Sequence, residues 1–428
     1  MAEPFKVIIA GGSLGGLMLA LQLERAGIDY IVLEKGEIGP QLGASIGFQP
    51  HSVKLFEQLG VWNDMKSITV PMGNRQHFDE HGKCFEDSAL FTEIHKKFGR
   101  PWVFLERCAA IRILYDHIHD KSKVHAETAV VSYREEESRI SIQTSKNETI
   151  FGSILVGCDG VHSGIRTLMV NQVAVLHPEL AEEIVEAGGG FTCEYKCLFG
   201  VSRNSRESSL IPDGVLHTAY YDYYSSFSLV GVPGLIFWFF YVKLPSVTRM
   251  PNCPRFTDED AHALVDQYGK TVLGPGYTLQ TLWDSRIRAT LAPLEEGVAK
   301  KWSHGRVVLA GDAVHKFTVN AGLGANTAYE GTTRLVNGLH DLLQEHPQPT
   351  QFQLSSMFSV YEQAQRSKAE FVLKISAAVT RYEAQDTWLL KKASRWLSPY
   401  IPDFFKAYLY AGYSSQGPIL KFLADPDA

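Results

Sequence analysis

The chain has no excess of basic residues: 41 lysines and arginines stand against 47 acidic residues, a formal net charge of −6. That balance excludes a basic nucleic-acid surface as its main business. Cysteine is scarce and scattered. Cys84, Cys108, Cys158, Cys193, Cys197 and Cys253 form no CxxC pair and have no partnered histidine spacing, and Cys193 with Cys197 makes only half of a metal site. The reading is buried free thiols, a reducing compartment and no metal. Long apolar runs are also missing. The longest, residues 229–242, is interrupted by Gly231, Pro233 and Gly234 and is too short to span a bilayer. No secretory leader precedes Phe5-Lys6-Val7-Ile8-Ile9-Ala10, which already reads as a strand. These absences point to a soluble, cytoplasmic protein, with peripheral contact at an internal membrane surface left open. What is present is ample apolar material: 45% of 428 residues are hydrophobic, which excludes intrinsic disorder. At this length roughly two to three domains are expected, large enough to enclose a small molecule. The 36 glycines, several clustered, suggest loops where backbone approaches a ligand.

From the N-terminus, Val7-Ile8-Ile9-Ala10 leads into Gly11-Gly12-Ser13-Leu14-Gly15-Gly16 and a helical stretch over residues 17–26. Gly27 stops that helix, and Tyr30-Ile31-Val32-Leu33 forms a second strand ending at Glu34. A strand, glycine turn, helix and strand in succession mark a parallel sheet. Further helices are predicted over 50–59 and 109–119. Antiparallel strands are predicted at 129–133, 140–144 and 149–156. Residues 171–284 read as an aromatic-rich β region, with Tyr220, Tyr221, Tyr223, Tyr224, Phe227 and Phe237-Trp238-Phe239-Phe240-Tyr241. Val307-Val308-Leu309-Ala310 is a buried strand, followed by helices over 325–343 and 357–378. There is no internal repeat and no low-complexity segment.

Three motifs carry chemistry. In the first, backbone N–H groups at a helix start attract a pyrophosphate, and Gly11 and Gly16 permit its close approach. Glu34, eighteen residues beyond Gly16, stands where a carboxylate grips a ribose diol. Ser13 occupies the middle position of that fingerprint, which requires negative φ there or a hydroxyl that joins the phosphate contacts. The second motif is Cys158-Asp159-Gly160-Val161-His162-Ser163-Gly164-Ile165-Arg166. The third is Gly311-Asp312-Ala313-Val314-His315, followed by Gly322-Leu323-Gly324-Ala325-Asn326.

In this order, the three motifs resemble the fingerprints of the FAD-dependent monooxygenases of the aromatic-hydroxylase type, over most of the first 345 residues. Pro40-Gln41-Leu42-Gly43-Ala44-Ser45-Ile46-Gly47 is most similar to the fungal branch that oxidises terpenoid and alkaloid intermediates. The resemblance implies an α/β fold: a glutathione-reductase-type FAD-binding domain, an antiparallel β substrate domain and a C-terminal helical segment. On this reading FAD binding draws on residues 1–75, 101–170 and 285–345. Substrate binding draws on 76–100 and 171–284, and 346–428 form the helical segment.

The implied activity is that of an NAD(P)H-dependent monooxygenase in secondary-metabolite biosynthesis. A flavin C4a-hydroperoxide would epoxidise or hydroxylate a lipophilic terpenoid, meroterpenoid or prenylated alkaloid, and O2 and that small molecule are the partners. Some relatives insert oxygen by Baeyer–Villiger chemistry. A flavin reductase without oxygen transfer, or a non-catalytic FAD-fold carrier of a prenylated partner, stands as the alternative.

By the same resemblance Glu34 binds the adenosine ribose, and Gly47 lines the flavin side of its loop. Arg107 reaches the phosphate and ribityl region, or else is a surface arginine at a helix start. Asp312 meets the ribityl chain, and Gly324 and Ala325 bring helix N–H groups to the flavin pyrimidine edge. Asp159, with Ser163 and Arg166, serves FAD placement and the nicotinamide cofactor. Tyr220 matches a tyrosine treated as catalytic in the fungal branch. Lys196 sits where relatives often carry a cation, with an exposed strand lysine as the alternative. Val319 replaces a frequent proline, which implies a looser loop against the flavin. His315 is either a proton shuttle or a structural histidine. Trp388-Leu389-Leu390-Lys391-Lys392 and Trp396-Leu397-Ser398-Pro399-Tyr400 put aromatics beside cations, as a membrane-surface segment or a helical cover would.

Overall fold

The computed structural model describes residues 4–40, 43, 45–176, 190–205, 209–414 and 417–428. Gln41, Leu42 and Ala44 of the loop that carries the fungal resemblance, and residues 177–189 and 206–208 of the aromatic-rich region, lie outside them. Lys6–Ala10 pairs in parallel with Asp29–Leu33 on one side and Ile154–Gly157 on the other, and Val307–Leu309 extends the sheet beyond Ile154–Gly157. Ser303–His304 and Val124–His125 close its two edges, making six strands. Val7, Ile8 and Ile9 are all fully buried, as residues of a parallel strand covered on both faces must be. The helices Leu14–Arg25 and Gly324–Glu345 pack on each other beside this sheet, burying Leu17, Leu21, Tyr329 and Leu335 in the main core.

The strand predicted over 149–156 is in fact two. Thr149–Gly152 joins Ile140–Thr144 and Val130–Glu135 in a three-stranded antiparallel sheet, whereas Ile154–Gly157 enters the parallel sheet. The change of direction falls at Gly152 and Ser153. A Cβ on Gly152 would stand 2.7 Å from the Ile8 side chain. Ser153 is tied to Lys6 twice: its N–H donates to the Lys6 carbonyl at 2.7 Å, and its hydroxyl accepts from the Lys6 N–H at 3.0 Å.

The second sheet has eight strands, in the spatial order His315–Lys316, Arg286–Val298, Thr192–Arg203, Leu235–Arg249, Tyr224–Val232, Val215–Tyr221, Asn74–Phe78, Cys84–Ser88. Its pairing is antiparallel except between Val215–Tyr221 and Asn74–Phe78, which run parallel. Arg286–Val298 also belongs to this sheet, pairing along Thr192–Arg203.

The faces of this sheet differ. Tyr195, Cys197, Phe227, Phe239 and Tyr241 pack with Trp102 and Phe104 on one face. Leu198, Trp238, Phe240 and Val242 pack on the other, with the helices Asp258–Tyr268 and Leu279–Asp284. Trp238 satisfies its indole N–H on Ser202 at 2.7 Å, and Ser202 in turn donates to the Leu282 carbonyl at 2.6 Å.

The helix Gln351–Glu383 starts from a capping box between Thr350 and Gln353 and packs along Gly324–Glu345. Trp388–Trp396 and Asp403–Ser414 follow it as helices. Among the described residues no helix is long and apolar enough to cross a membrane. Of the free cysteines, Cys108, Cys193 and Cys197 are buried as expected, but Cys84 is exposed and Cys158 and Cys253 are half-buried.

Candidate active site

The glycine turn is shaped by two close approaches. Gly11 has φ of +109°, and a Cβ there would lie 2.5 Å from the Cys158 carbonyl oxygen, so only glycine fits. A Cβ on Gly16 would collide with the Gly11 carbonyl. Above Gly15 and Gly324, by contrast, no atom of the described residues outside the adjoining chain and the helix's own backbone lies within 4 Å of where a Cβ would stand. Two helix starts therefore face open space. Ser13 holds φ at −99°, which a side chain tolerates, and its hydroxyl accepts from Arg107 Nη2 at 2.8 Å. The Glu34 carboxylate accepts from the Gly12 N–H at 2.6 Å and the Gly36 N–H at 2.9 Å, so it is aimed at the turn.

Asp312 lies in the single turn Gly311–Ala313 and pairs with Lys316 Nζ at 2.6 Å. Burial pushes its carboxyl up, but the Lys316 charge and hydrogen bond outweigh this and hold it below the usual range. Gly47 sits in Ser45–Phe48 against Val103–Glu106, with the Phe104 ring 2.7 Å from its would-be Cβ.

Asn326 binds these loops together. Its Nδ2 donates to the Gly47 and Gly322 carbonyls at 2.9 and 2.7 Å, while its Oδ1 accepts from the Gln49 N–H and the Ser52 hydroxyl at 3.0 and 2.7 Å. Asn326 closes the third motif, whose resemblance implies no role for it. The available signal was a polar amide in the first turn of an otherwise glycine-rich helix start.

Asp159 accepts from the Ser163 hydroxyl at 2.5 Å and the Ile165 N–H at 3.1 Å, so its carboxylate is engaged at the start of its own helix, Gly164–Leu176. Arg166 is buried and donates to the Ala313 and Val161 carbonyls at 2.7 and 2.6 Å. The motif thus braces the turn that carries Asp312.

Tyr220 and Lys196 are not brought together. Tyr220 is 1% exposed, and its hydroxyl lies 2.8 Å from His77 Nδ1. Burial pushes this phenol up and the His77 imidazole well down, so both are neutral. Lys196 alternates with Tyr195 and Cys197 along its strand and therefore points to the opposite face, where its ammonium lies 5.3 Å above the Phe256 ring. His315 is buried with neither ring nitrogen partnered among the described residues, stacked on Phe317, and burial lowers its pKa to about 4. It is a core histidine.

The loop containing Val319 is pinned rather than loose. Thr380 donates to the Thr318 hydroxyl at 2.8 Å and lies 2.9 Å from Asn320 Oδ1, and Asn320 Nδ2 donates to Glu383 at 2.6 Å. Glu383 is buried and paired with Arg75, whose Nε donates to Thr218 at 3.1 Å. These partners lie far apart in sequence, and no local pattern announces them. Among the described residues no three His, Cys, Asp or Glu side chains gather as metal ligands.

Open helix starts at Gly15 and Gly324, a carboxylate at the end of the second strand and a cation beside the turn suit a flavin dinucleotide. The chain matches the FAD binding domain family over residues 4–175 and 256–354. It is 34% identical over 99% of its length, and 88% of the relative's, to the FAD-dependent monooxygenase cdmI of Talaromyces verruculosus. The chain belongs to this family of FAD-dependent monooxygenases.

The FAD-dependent monooxygenase nodM of Hypoxylon pulicicidum is 35% identical over the whole chain and 91% of its own length. Among solved structures, Klebsiella pneumoniae HpxO complexed with FAD and uric acid superposes with a TM-score of 0.76 at 18% identity, covering 97% of each chain. The 2,6-dihydroxypyridine-3-hydroxylase of Arthrobacter nicotinovorans does so at 0.70 and 17%, covering 91% of this chain and 95% of its own. The fold of this FAD-dependent monooxygenase is thus that of the aromatic hydroxylases.

Proposed function

We propose that the monooxygenase uses NAD(P)H and O2 to epoxidise or hydroxylate a lipophilic terpenoid, meroterpenoid or prenylated alkaloid in secondary-metabolite biosynthesis. The observation that carries this reading is the aromatic face of the eight-stranded sheet. Phe227 and Phe239 lie 4.5 Å apart there, and Trp102 of the same cluster touches the positions of Gly47 and Gly322 in the FAD-side loops. An apolar, water-excluding wall suits a polycyclic, prenylated skeleton.

In this reading Gly11, Ser13 and Gly16 receive the pyrophosphate, with Arg107 as its counter-charge. Glu34 holds the adenosine ribose and Asp312 the ribityl chain, Lys316 yielding its place to the cofactor hydroxyls. Gly47, Gly324 and Ala325 border the flavin, and Asp159 acts through the shape of its loop. When bound and reduced, FAD supplies the activation of O2 and the oxygen transfer. The protein's residues orient the substrate, hold the loops closed through Asn326, Thr380 and Glu383, and exclude water. Tyr220, engaged by His77, is a positioning residue in this scheme.

Several residues of the C-terminal helices support a peripheral membrane contact. Trp388, Trp396, Tyr400 and Phe404 are 66–76% exposed, and Lys392 and Lys97 lie over the rings of Trp388 and Tyr408. The same segment is anchored on its other side, where Asp403 accepts from the Ser88 hydroxyl and the Ala89 N–H. One side covers the protein and the other offers aromatics beside cations to a lipid surface, from which a lipophilic substrate could be drawn.

The deciding experiment supplies NADPH and oxygen-18 gas with an extract of prenylated fungal metabolites. A product carrying one labelled oxygen atom is expected. NADPH oxidation with all label recovered as peroxide or water identifies a reductase instead.

A further inference from the structure

The loop that leads to the Gly324 helix start hangs on one carboxylate. Ser376, Thr380 and Glu383 fall on one face of the helix Gln351–Glu383, and all three are buried. Thr380 donates to the Thr318 hydroxyl at 2.8 Å, and Asn320 Nδ2 donates to one Glu383 oxygen at 2.6 Å. The other Glu383 oxygen accepts from Arg75 Nη2, and Arg75 Nε donates to Thr218 at 3.1 Å on the adjoining strand. Beyond the single turn Val319–Ala321, Asn326 holds the Gly322 carbonyl at 2.7 Å. The loop is thus tied to the long helix, to the eight-stranded sheet and to the helix it precedes.

A carboxylate is costly in this place. Glu383 is 1% exposed and closes a helix at the end where the backbone dipole is already negative. Both of its neighbours are donors, however: a guanidinium and the amide nitrogen of Asn320. Glutamine has the same shape but a single acceptor oxygen, so one of the two contacts would set donor against donor. Burial opposes the Arg75 charge, but Glu383 outweighs it and raises the Arg75 pKa. An apolar pair would serve the core at least as well. What the ion pair adds is a fixed place for Asn320.

The backbone allows a second way of fixing the same loop. Thr318 is extended, with φ −59° and ψ 146°, and Val319 is the first residue of its turn. The residue before a proline favours that conformation, and a proline that opens a helical turn sacrifices no hydrogen bond. V319P would therefore stiffen the loop without help from the ion pair.

We propose that Arg75 and Glu383 are positioning residues for the flavin: acting through Asn320, the pair fixes residues 318–322 against the ring and so limits access to it from solvent. The proposal rests on the reading that Gly324 and Ala325 border the flavin. Neither Arg75 nor Glu383 is assigned a contact with cofactor or substrate, and no proton transfer is assigned to them.

The test uses the FAD-loaded protein without substrate. Bleaching of the bound flavin by dithionite, followed by absorbance, reads access to the ring, and thermal melting reads the fold. E383Q is expected to bleach about three- to tenfold faster than the wild type and to melt lower. Adding V319P to E383Q is expected to return bleaching to within about twofold of the wild type while melting stays lower, because a stiff loop does not replace the buried contacts. R75K keeps the charge without the planar fork and is expected to bleach at a rate between those of the wild type and E383Q. R75K with and without V319P makes the same comparison should E383Q lose FAD. Bleaching at the wild-type rate in both E383Q and R75K, or an acceleration that V319P does not reverse, would overturn the proposal and leave the pair a brace of the fold. A wild-type flavin bleached as fast as free FAD would overturn the reading of the site itself, and the proposal with it.

Discussion

Arg107 donates to the Ser13 hydroxyl across 2.8 Å, joining the first residue of one helix to the cap of another. Ser13 stands where a glycine would be usual, and the negative φ it keeps removes the steric objection to a side chain. The serine also fastens a guanidinium beside the turn. Arg107→Ala is therefore expected to weaken FAD binding about ten- to a hundredfold, the loss of a charged hydrogen bond worth ~1.5–3 kcal/mol. Arg107→Lys restores only part, lacking the planar fork. Flavin fluorescence on serial dilution reads both, and wild-type retention in the alanine variant removes Arg107 from the site.

Glu34→Ala and Asp312→Ala are each expected to weaken FAD retention by a similar roughly ten- to hundredfold factor. Loss of Glu34 also releases the Gly12 and Gly36 N–H groups it holds. FAD is expected to be non-covalent, so acid precipitation of the wild type leaves yellow flavin in the supernatant. Colour in the pellet contradicts this.

Tyr220→Phe strands the buried His77 nitrogen and is expected to destabilise the protein by about 1–3 kcal/mol in urea unfolding. If the bond between them carries that effect, adding His77→Phe to Tyr220→Phe costs much less than the sum of the two single changes. Additive losses would show that the pair is not coupled.

Stability is expected to fall on acidification between about pH 6.5 and 4. Burial lowers His217 and His315 to about 4 from an ordinary 6.5. In that window the unfolded chain binds protons that the folded chain refuses, so the contribution is complete above the ordinary value and disappears as pH falls toward 4. Each histidine contributes on the order of 2–3 kcal/mol. Melting temperatures across the window check this, and His315→Gln should flatten the slope. An equally steep slope in that variant shows that His315 carries none of the acid sensitivity and leaves it to His217 and other groups.

Replacing Trp388, Trp396 and Phe404 with serine is expected to abolish flotation with anionic liposomes while leaving the melting temperature unchanged, since all three are mostly exposed. Equal flotation of wild type and variant, or none by either, leaves this segment as a cover only.

The parallel sheet and the glycine turn could be read in advance because their causes are local. A continuous run such as Val7-Ile8-Ile9 reports a strand buried on both faces, and the turn that follows needs glycine at Gly11 whatever surrounds it. Glu34 and Asp312 are assigned by the family motifs rather than by such local causes. The division at Ser153 is marked in the sequence only by Gly152 and Ser153 inside a β-forming run, a pair equally compatible with a bulge, and the contacts of Lys6 and Ile8 with them separate its halves. Alternation along Thr192–Arg203 says that Lys196 and Tyr195 face opposite ways, but not which of them meets the flavin side. That choice is made by packing, with the Asp258–Tyr268 helix on one face and Trp102 on the other. The same holds for hydrogen-bond partners. Tyr220 finds His77 and Arg75 finds Glu383 across separations of 143 and 308 residues, so whether a phenol is occupied or free is decided only when the chain has closed on itself.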